Sequence, residues 1–411
     1  CREWQKVFNK IMRSKMVDIS GKFRTKTAPE TGRRVVQLTT GDAFCYPLYY
    51  FIPSISGEYL VYHRADQSGV QLCRLNLSTG EHVQLTKATG KDTQWWPWCV
   101  PAGPGVLDHR SALNCVSREV IYFDGNVARA VHLETLEDRI LFMLPDDRLA
   151  TGQNCVSPDG RWFFYIHHDK QSIAEVHPMR PGTESNRHLS RGTALTAFDL
   201  NSGEQRTLVR MNAPLHHVHP LGQDQLVFSS PAMERGILIT DYQGGWYTHN
   251  RTQDDAGCTT CHYCATERGI FYEVPGNSLQ RTLGGVWDPH NRRGVEFVLE
   301  HERDVHVGSD PLGRLWFYES SVDEHHRQIH LLARYHGFEQ NEWIKLSGKW
   351  PMYWPGGVRP LRGCQKAHHH ARITPDRRWL VITAGDARTR TNHIFLLDIA
   401  DVQDTQGLPW D

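Results

Sequence analysis

Apolar and polar residues alternate with period two along most of the chain, in short runs punctuated by tight turns. The pattern is complete in SISGEYLVYHRADQSGVQLCRLNLSTGEHVQLT (54–86), where a turn, a strand, a polar gap, a second strand and another turn follow in order. It returns in SREVIYFDGNVARAVHLETLEDRILF (117–142), and in SPDGRWFFYIHHD (157–169) continued by ALTAFDLNSGEQRTLV (194–209). GQDQLVFSSPAMERGILITDYQGG (222–245), TERGIFYEVPG (266–276), PLGRLWFYESS (311–321) and TPDRRWLVITAGDARTRTNHIFLLDI (374–399) complete a set of seven, spaced roughly every 40 to 65 residues. Period-two alternation marks half-buried strands, and the Ser-Pro-Asp-Gly and Ser-Thr-Gly-Glu steps supply the turns. One such sheet cannot bury both faces alone, but seven packed around an axis can. The sequence therefore predicts an all-β fold, a seven-bladed β-propeller, over 26–411 as a single domain. A large sandwich or two β domains are the competing arrangements. RRVVQLTT (33–40) is placed to close the ring by joining the last unit, and the charged residues 1–25 read as a helical or loose extension outside it.

Composition narrows the function. With 46 basic and 46 acidic residues the formal charge is zero, so binding nucleic acid through phosphate attraction is not expected. No run approaches the ~18 apolar residues of a membrane span. The 13 Trp, 14 Tyr and 15 Phe suit either sugar binding or an aromatic core. Ten cysteines are scattered, apart from Cys258, Cys261 and Cys264, which is not the framework of a small disulfide scaffold. A cytoplasmic protein is expected. The start at Cys1 keeps a periplasmic or lipid-anchored one as the alternative, and a homodimer is left open.

The histidines fall at one place in the repeat. GCQKAHHHARITPD (363–376) sets three of them before the Pro-Asp turn of the last unit. His306, in DVHVGSDPLGRLWFY (304–318), precedes the turn of the unit before, and His262, in GCTTCHYCATERGIFYE (257–273), the one before that. In extended chain His368 and His370 share one side and His369 takes the other. Two imidazoles from one strand, one from the neighbouring unit and the amide oxygen of Gln365 make a mixed N/O donor set. Such a set suits Mn, Zn, Fe or Ni better than Ca or Mg. Cys258, Cys261 and Cys264, spaced C-x2-C-x2-C, offer His262 a rival role in a structural zinc site; a small disulfide in that loop is another reading, and Cys364 lies beside the histidine run. His217 and His219, in LHHVHP (215–220), are candidates for substrate contact, weighed against ordinary loop histidines. His167 and His168 end a strand and read as structural.

The Gln-x-x-His-x-His spacing, with a histidine seven residues before the glycine of the preceding unit's turn, resembles the oligogalacturonate lyases. The resemblance extends from TGRRVVQLTTGDAFC (31–45) to HHHARITPDRRWLVIT (368–383) and is clearest in the last three units. It implies a seven-bladed propeller that splits short pectic oligomers by β-elimination, with an acidic oligosaccharide as substrate. It further implies that Gln365, His306, His368 and His370 hold Mn2+, with Zn2+ or another divalent transition metal as the alternative. His262 would be the catalytic base, and Arg235, which opens the strand in ERGILITDYQG (234–244), the catalytic arginine. The chemistry needs such groups. The proton beside a uronate carboxylate is weakly acidic, so charge building on that carboxylate must be neutralised and a base must reach the proton. A neutral imidazole suits that task, whereas arginine stays protonated and would position the carboxylate or ease the base's deprotonation.

The chain departs from the family pattern at Cys45-Tyr46, where the family has Cys-His, which makes Tyr46 a third candidate for substrate contact. It departs again at FSSPAMER (228–235), which lacks the family's histidine and glutamate there. Both changes bear on sugar specificity, so a lyase for another uronic-acid polysaccharide such as ulvan stands beside the galacturonate reading. A non-catalytic carbohydrate- or protein-binding propeller is the alternative of a different class. A serine hydrolase is not supported, because no G-x-S-x-G elbow occurs.

Overall fold

The computed structural model describes residues 19, 21–90, 104–106, 110–170, 192–212, 215–230, 237–244, 248–250, 262–274, 282–289, 291, 293–299, 306–323, 325–354 and 368–408. All of the elements assigned within them are strands, and they form seven antiparallel sheets, one per blade. No helix there is long and apolar enough to cross a membrane. From the axis outward, blade 2 runs Ala112–Asn114, Glu119–Asp124, Val127–His132 and Asp138–Met143, and blade 3 runs Arg148–Val156, Trp162–Asp169, Thr193–Asp199 and Gln205–Met211. Blade 4 is His216–Leu221, Gln225–Ser229, Ile237–Asp241 and Thr248–Asn250; blade 5 is Tyr263–Thr266, Gly269–Val274, Leu283–Asp288 and Arg293–Val298. Blade 6 is His306–Ser309, Trp316–Ser321, His326–Arg334 and Glu342–Pro351.

Blade 7 joins both ends of the chain. Its inner strands Arg372–Ile373, Trp379–Asp386 and Thr391–Asp398 pair onward with Arg34–Gln37, in register Val35 to Leu397 and Val36 to Leu396, and then with Arg24–Thr27. The sheet thus starts at Arg24, two residues inside the stretch read as an extension; residues 1–18 lie outside the described ones. Asp386 fastens the closure, accepting hydrogen bonds from the Gln37 amide at 2.9 Å and the Lys26 ammonium at 3.3 Å.

The turns repeat because their residues do. In blade 3 the Ser157 hydroxyl accepts the Trp162 N–H at 2.9 Å, and Gly160 takes a φ of +76°. In blade 7 Thr374 accepts the Trp379 N–H at 3.1 Å. The aromatic residues fill the seams between blades. Phe142 lies 4.8 Å from Tyr165 and Phe271 4.7 Å from Trp316, ring centre to ring centre. Much of the aromatic content is therefore blade packing, the larger part of the hydrophobic stabilisation in such a ring.

Blade 1 is irregular in a way that shapes the axis. Its innermost strand is broken: Phe44–Pro47 pairs with one end of Tyr59–Asp66 and Ile55–Ser56 with the other, followed outward by Gly69–Asn76 and His82–Gln84. The seven residues between the halves, 48–54, leave the sheet. Tyr49, Tyr50, Phe51 and Ile52 within them are all buried.

Candidate functional site

The innermost strands of blades 4 to 7 each begin at a histidine or just after one, so His217, His262, His306 and the pair His368 and His370 converge on the axis. The segment leaving blade 1 meets them there. Tyr49 Oη is 2.9 Å from His217 Nε2. The ring of Tyr50 lies 5.3 Å from that of His306, 6.1 Å from His262, 6.4 Å from His370 and 6.5 Å from His217. Tyr50 is clamped in place: its hydroxyl donates to the Tyr263 carbonyl and accepts the Tyr263 N–H, both at 3.0 Å. These tyrosines form a floor under the imidazoles.

His306, His368 and His370 are buried, and each offers a nitrogen within 4.8 Å of the others. Two nitrogens bound to one ion at ~2.1 Å are at most ~4.2 Å apart, so a small inward movement would let all three share one. Among the described residues this is the sole group of three or more His, Cys, Asp or Glu side chains so arranged. His368 Nδ1 is buried with no hydrogen-bond partner, which costs free energy unless something binds it. Burial, reinforced by other imidazoles and by Arg327, holds the basicity of His306 and His368 well below the usual range. Both are therefore neutral near pH 7, with lone pairs available. The donor set fits a divalent transition metal.

Glu319 organises the group from behind. It is paired in register with His306, its Oε1 lies 2.7 Å from His306 Nδ1, and its Oε2 accepts the Ala371 N–H at 3.2 Å. One carboxylate so lies against an imidazole of blade 6, close enough to hydrogen-bond it after a small turn of the ring, and anchors the backbone beside His370 of blade 7. Such supporting carboxylates fix tautomer and ring direction.

His262 stands next to this group and differs from it. Its ring centre is 4.2 Å from that of His306, yet its side chain keeps 19% of its exposure against 4% for His306. Its Nδ1 is 2.6 Å from Glu273 Oε1. An imidazole whose Nδ1–H donates to a carboxylate carries its basic lone pair on Nε2.

The expected residues sort as follows. His262, His306, His368 and His370 are brought together, whereas Gln365, Arg235, Cys258, Cys261 and Cys364 lie outside the described residues. His369 points the other way, Nδ1 at 2.6 Å from the Thr383 carbonyl. The backbone there is not the extended chain expected, since His370 has a φ of +45° and the strand starts only at Arg372. The LHHVHP histidines belong to a strand rather than a loop, and they part company. His217, with a φ of +50°, joins the cluster at 5.4 Å from His262. His219 sits beyond Phe51, whose ring is 5.0 Å away, and lines a separate cavity. Tyr46 is fully buried and stacked on His63 at 4.9 Å, a packing residue of blade 1. Cys264 lines the same separate cavity as His219, and burial pushes its thiol up to about 11.

Sequence reading missed Glu273, Glu319 and Tyr50. The two glutamates carried a signal, since Phe-Tyr-Glu recurs at 271–273 and 317–319 in successive units. Tyr50 carried none, because its reach depends on a strand break visible only in three dimensions.

No family model matches the chain. A curated relative, the oligogalacturonate lyase of Dickeya dadantii (strain 3937), is 26% identical over 214 residues. That match covers 51% of each chain, so the similarity spans about half the length of the curated relative. Among solved structures, oligogalacturonate lyase from Vibrio parahaemolyticus superposes with a TM-score of 0.73 at 18% identity, over 93% of this chain and 97% of that one. An oligogalacturonate lyase in complex with manganese gives 0.72 at 18% identity, over 94% and 98%. At such identities the superpositions speak for the fold, and with the curated match they make the chain a divergent relative of the oligogalacturonate lyases.

Proposed function

We propose that this protein is a metal-dependent lyase that cleaves short uronate oligomers, oligogalacturonides first among them, by β-elimination. The observation that carries the reading is the pairing of two unlike sets of imidazoles at one point. Three buried rings converge to within 4.8 Å, and a fourth, more exposed and backed by Glu273, lies 4.2 Å from one of them. The curated relative is itself an oligogalacturonate lyase, and a neighbour of the same fold is a manganese complex.

His306, His368 and His370 would hold the ion, with Gln365 as a fourth ligand. An ion held there would supply positive charge to the uronate carboxylate. His262 Nε2 takes the proton from C5, beside the carboxylate. The electron pair of that C–H bond becomes the C4–C5 double bond, and the C4–O4 bond breaks. The departing O4 takes a proton, returned by the His262 imidazolium or by water. Glu273 steadies the imidazolium in between. Arg235 would add a further cation for the carboxylate.

The test is direct. Protein incubated with unsubstituted oligogalacturonides should generate the ultraviolet absorbance of an unsaturated uronate. His262→Ala should lower that rate by about 10³-fold or more and leave bound metal unchanged, whereas His306→Ala should release the metal and the activity together. Full activity in His262→Ala removes the base assignment. Failure on every uronate oligomer, with metal bound, returns the molecule to the binding propellers.

A further inference from the structure

Beyond the tyrosine floor the axis opens into a second cavity of about 260 Å³ at the turn end of the inner strands. Its walls include Leu113, Val116, Val156, Leu221 and Ala265, with three free cysteines, Cys115, Cys155 and Cys264. Burial pushes the thiols of Cys115 and Cys264 up to about 11 and that of Cys155 well above its ordinary value, so all three are uncharged. His219 is brought down to about 4 by burial and is neutral too. Glu267 sits exposed at the mouth. One charged group remains inside, the guanidinium of Arg372. Among the described residues it forms a single hydrogen bond, Nη1 to the Tyr50 carbonyl at 3.3 Å, and no ion pair. A guanidinium has five N–H donors in a planar fork, and this part-buried one uses a single donor and faces no counter-ion among the described residues, which favours an anionic partner.

We propose that this cavity binds a small organic monocarboxylate, its two oxygens on the free edge of the Arg372 guanidinium and its apolar body against the aliphatic and thiol walls. The fork matches a carboxylate in shape and charge. Asn114, Ser157, Thr266 and Ser309 are the other polar side chains of a lining that is otherwise mainly apolar and holds a single cation, which favours one carboxylate on an apolar body over a polyanion. The inference does not depend on the lyase reading.

Calorimetry with butyrate tests it, on the full-length protein stripped of metal so that the histidines cannot hold the carboxylate through an ion. One saturable site is expected. Butyramide, of the same shape but uncharged, should bind more than tenfold more weakly. Arg372→Gln should weaken butyrate by a similar factor, and His306→Ala should leave it unchanged. Should Arg372→Gln fold poorly, crystals of the unaltered protein soaked in 4-bromobenzoate locate the ligand by its bromine. The proposal is overturned if butyramide matches butyrate, if Arg372→Gln binds normally, if the bromine lies among the histidines, or if neither carboxylate binds at millimolar concentration.

Discussion

The two ends of the axis are made by the same strands and carry opposite chemistry. On blade 5 His262 is followed two residues later by Cys264, on blade 7 His370 by Arg372, and on blade 4 His217 by His219. In each pair the first residue belongs to the imidazole cluster and the second to the far cavity. The second member of each pair lies in the inner strand and the first at its start or just before it, with left-handed backbone at His217 and His370, so strand entry hands the chain from one set of side chains to the other. The crossing segment at Tyr49–Phe51 runs between the two sets. Tyr50 touches the histidines with its ring and receives Arg372 on its carbonyl oxygen. A propeller axis can therefore host unlike sites a few ångströms apart, provided one chain segment walls them off.

The sharpest way to break this comparison is at the histidine end. Glu273→Gln keeps the size of the side chain and removes the charge facing His262. We expect kcat to fall by about 10²-fold with KM and metal content little changed. Butyrate binding at the far end should be untouched. Equal loss of metal would mean that Glu273 supports the whole cluster rather than His262 alone. Steady-state kinetics alongside metal analysis separates the two outcomes.

The sequence made the ring legible because each blade repeats one local solution: a hydroxyl or carboxylate at the turn, as at Ser157 and Thr374, then alternating apolar residues. The histidines were legible for the same reason, occupying one register in successive units. The tandem Phe-Tyr-Glu at 271–273 and 317–319 could have revealed their supporting carboxylates, since a residue opposite a histidine in the next strand of a repeat recurs with it. Two features were not legible. His370 reaches His368 through a left-handed backbone, so alternation put the two rings together for an incorrect geometric reason. Tyr46 stays within the strand, whereas the residues that reach the axis lie three to five positions later, past a break in that strand.

The wall is the next place to press. Tyr50→Phe strips the hydroxyl from the N–H and carbonyl of Tyr263, leaving both buried and without that partner. Each hydrogen bond so lost costs roughly 1–3 kcal/mol, so a loss of roughly 2–6 kcal/mol in unfolding free energy is expected by denaturant titration. If the wall separates the sites, this variant should also let butyrate binding and metal binding influence one another. Calorimetry with and without metal would then give different butyrate affinities, where the unaltered protein gives one. Independence of the two in the variant would show that distance, not the wall, keeps the ends apart.

Ring closure should affect both ends alike, and less. Burial of Asp386 favours its neutral form, yet hydrogen bonds from the Gln37 amide and the Arg388 N–H, with the Lys26 ammonium nearby, bring its pKa down from 3.8 to about 2. A carboxylate whose pKa is lower folded than unfolded stabilises the fold above its unfolded value. That contribution is present at pH 5 and disappears as pH falls from about 4 through about 2. Allowing for the one-third exposure of Lys26, it amounts to about 1–2 kcal/mol. Asp386→Asn should lower stability by that amount at pH 7 and by almost nothing at pH 2, so the two unfolding curves should merge in acid. Because closure holds the whole ring, the variant at pH 7 should weaken metal and butyrate binding by the same small factor, less than about threefold for each. A selective loss at one end would mean that the last blade, which carries His368, His370 and Arg372 together, tilts on opening instead of parting cleanly from its neighbour.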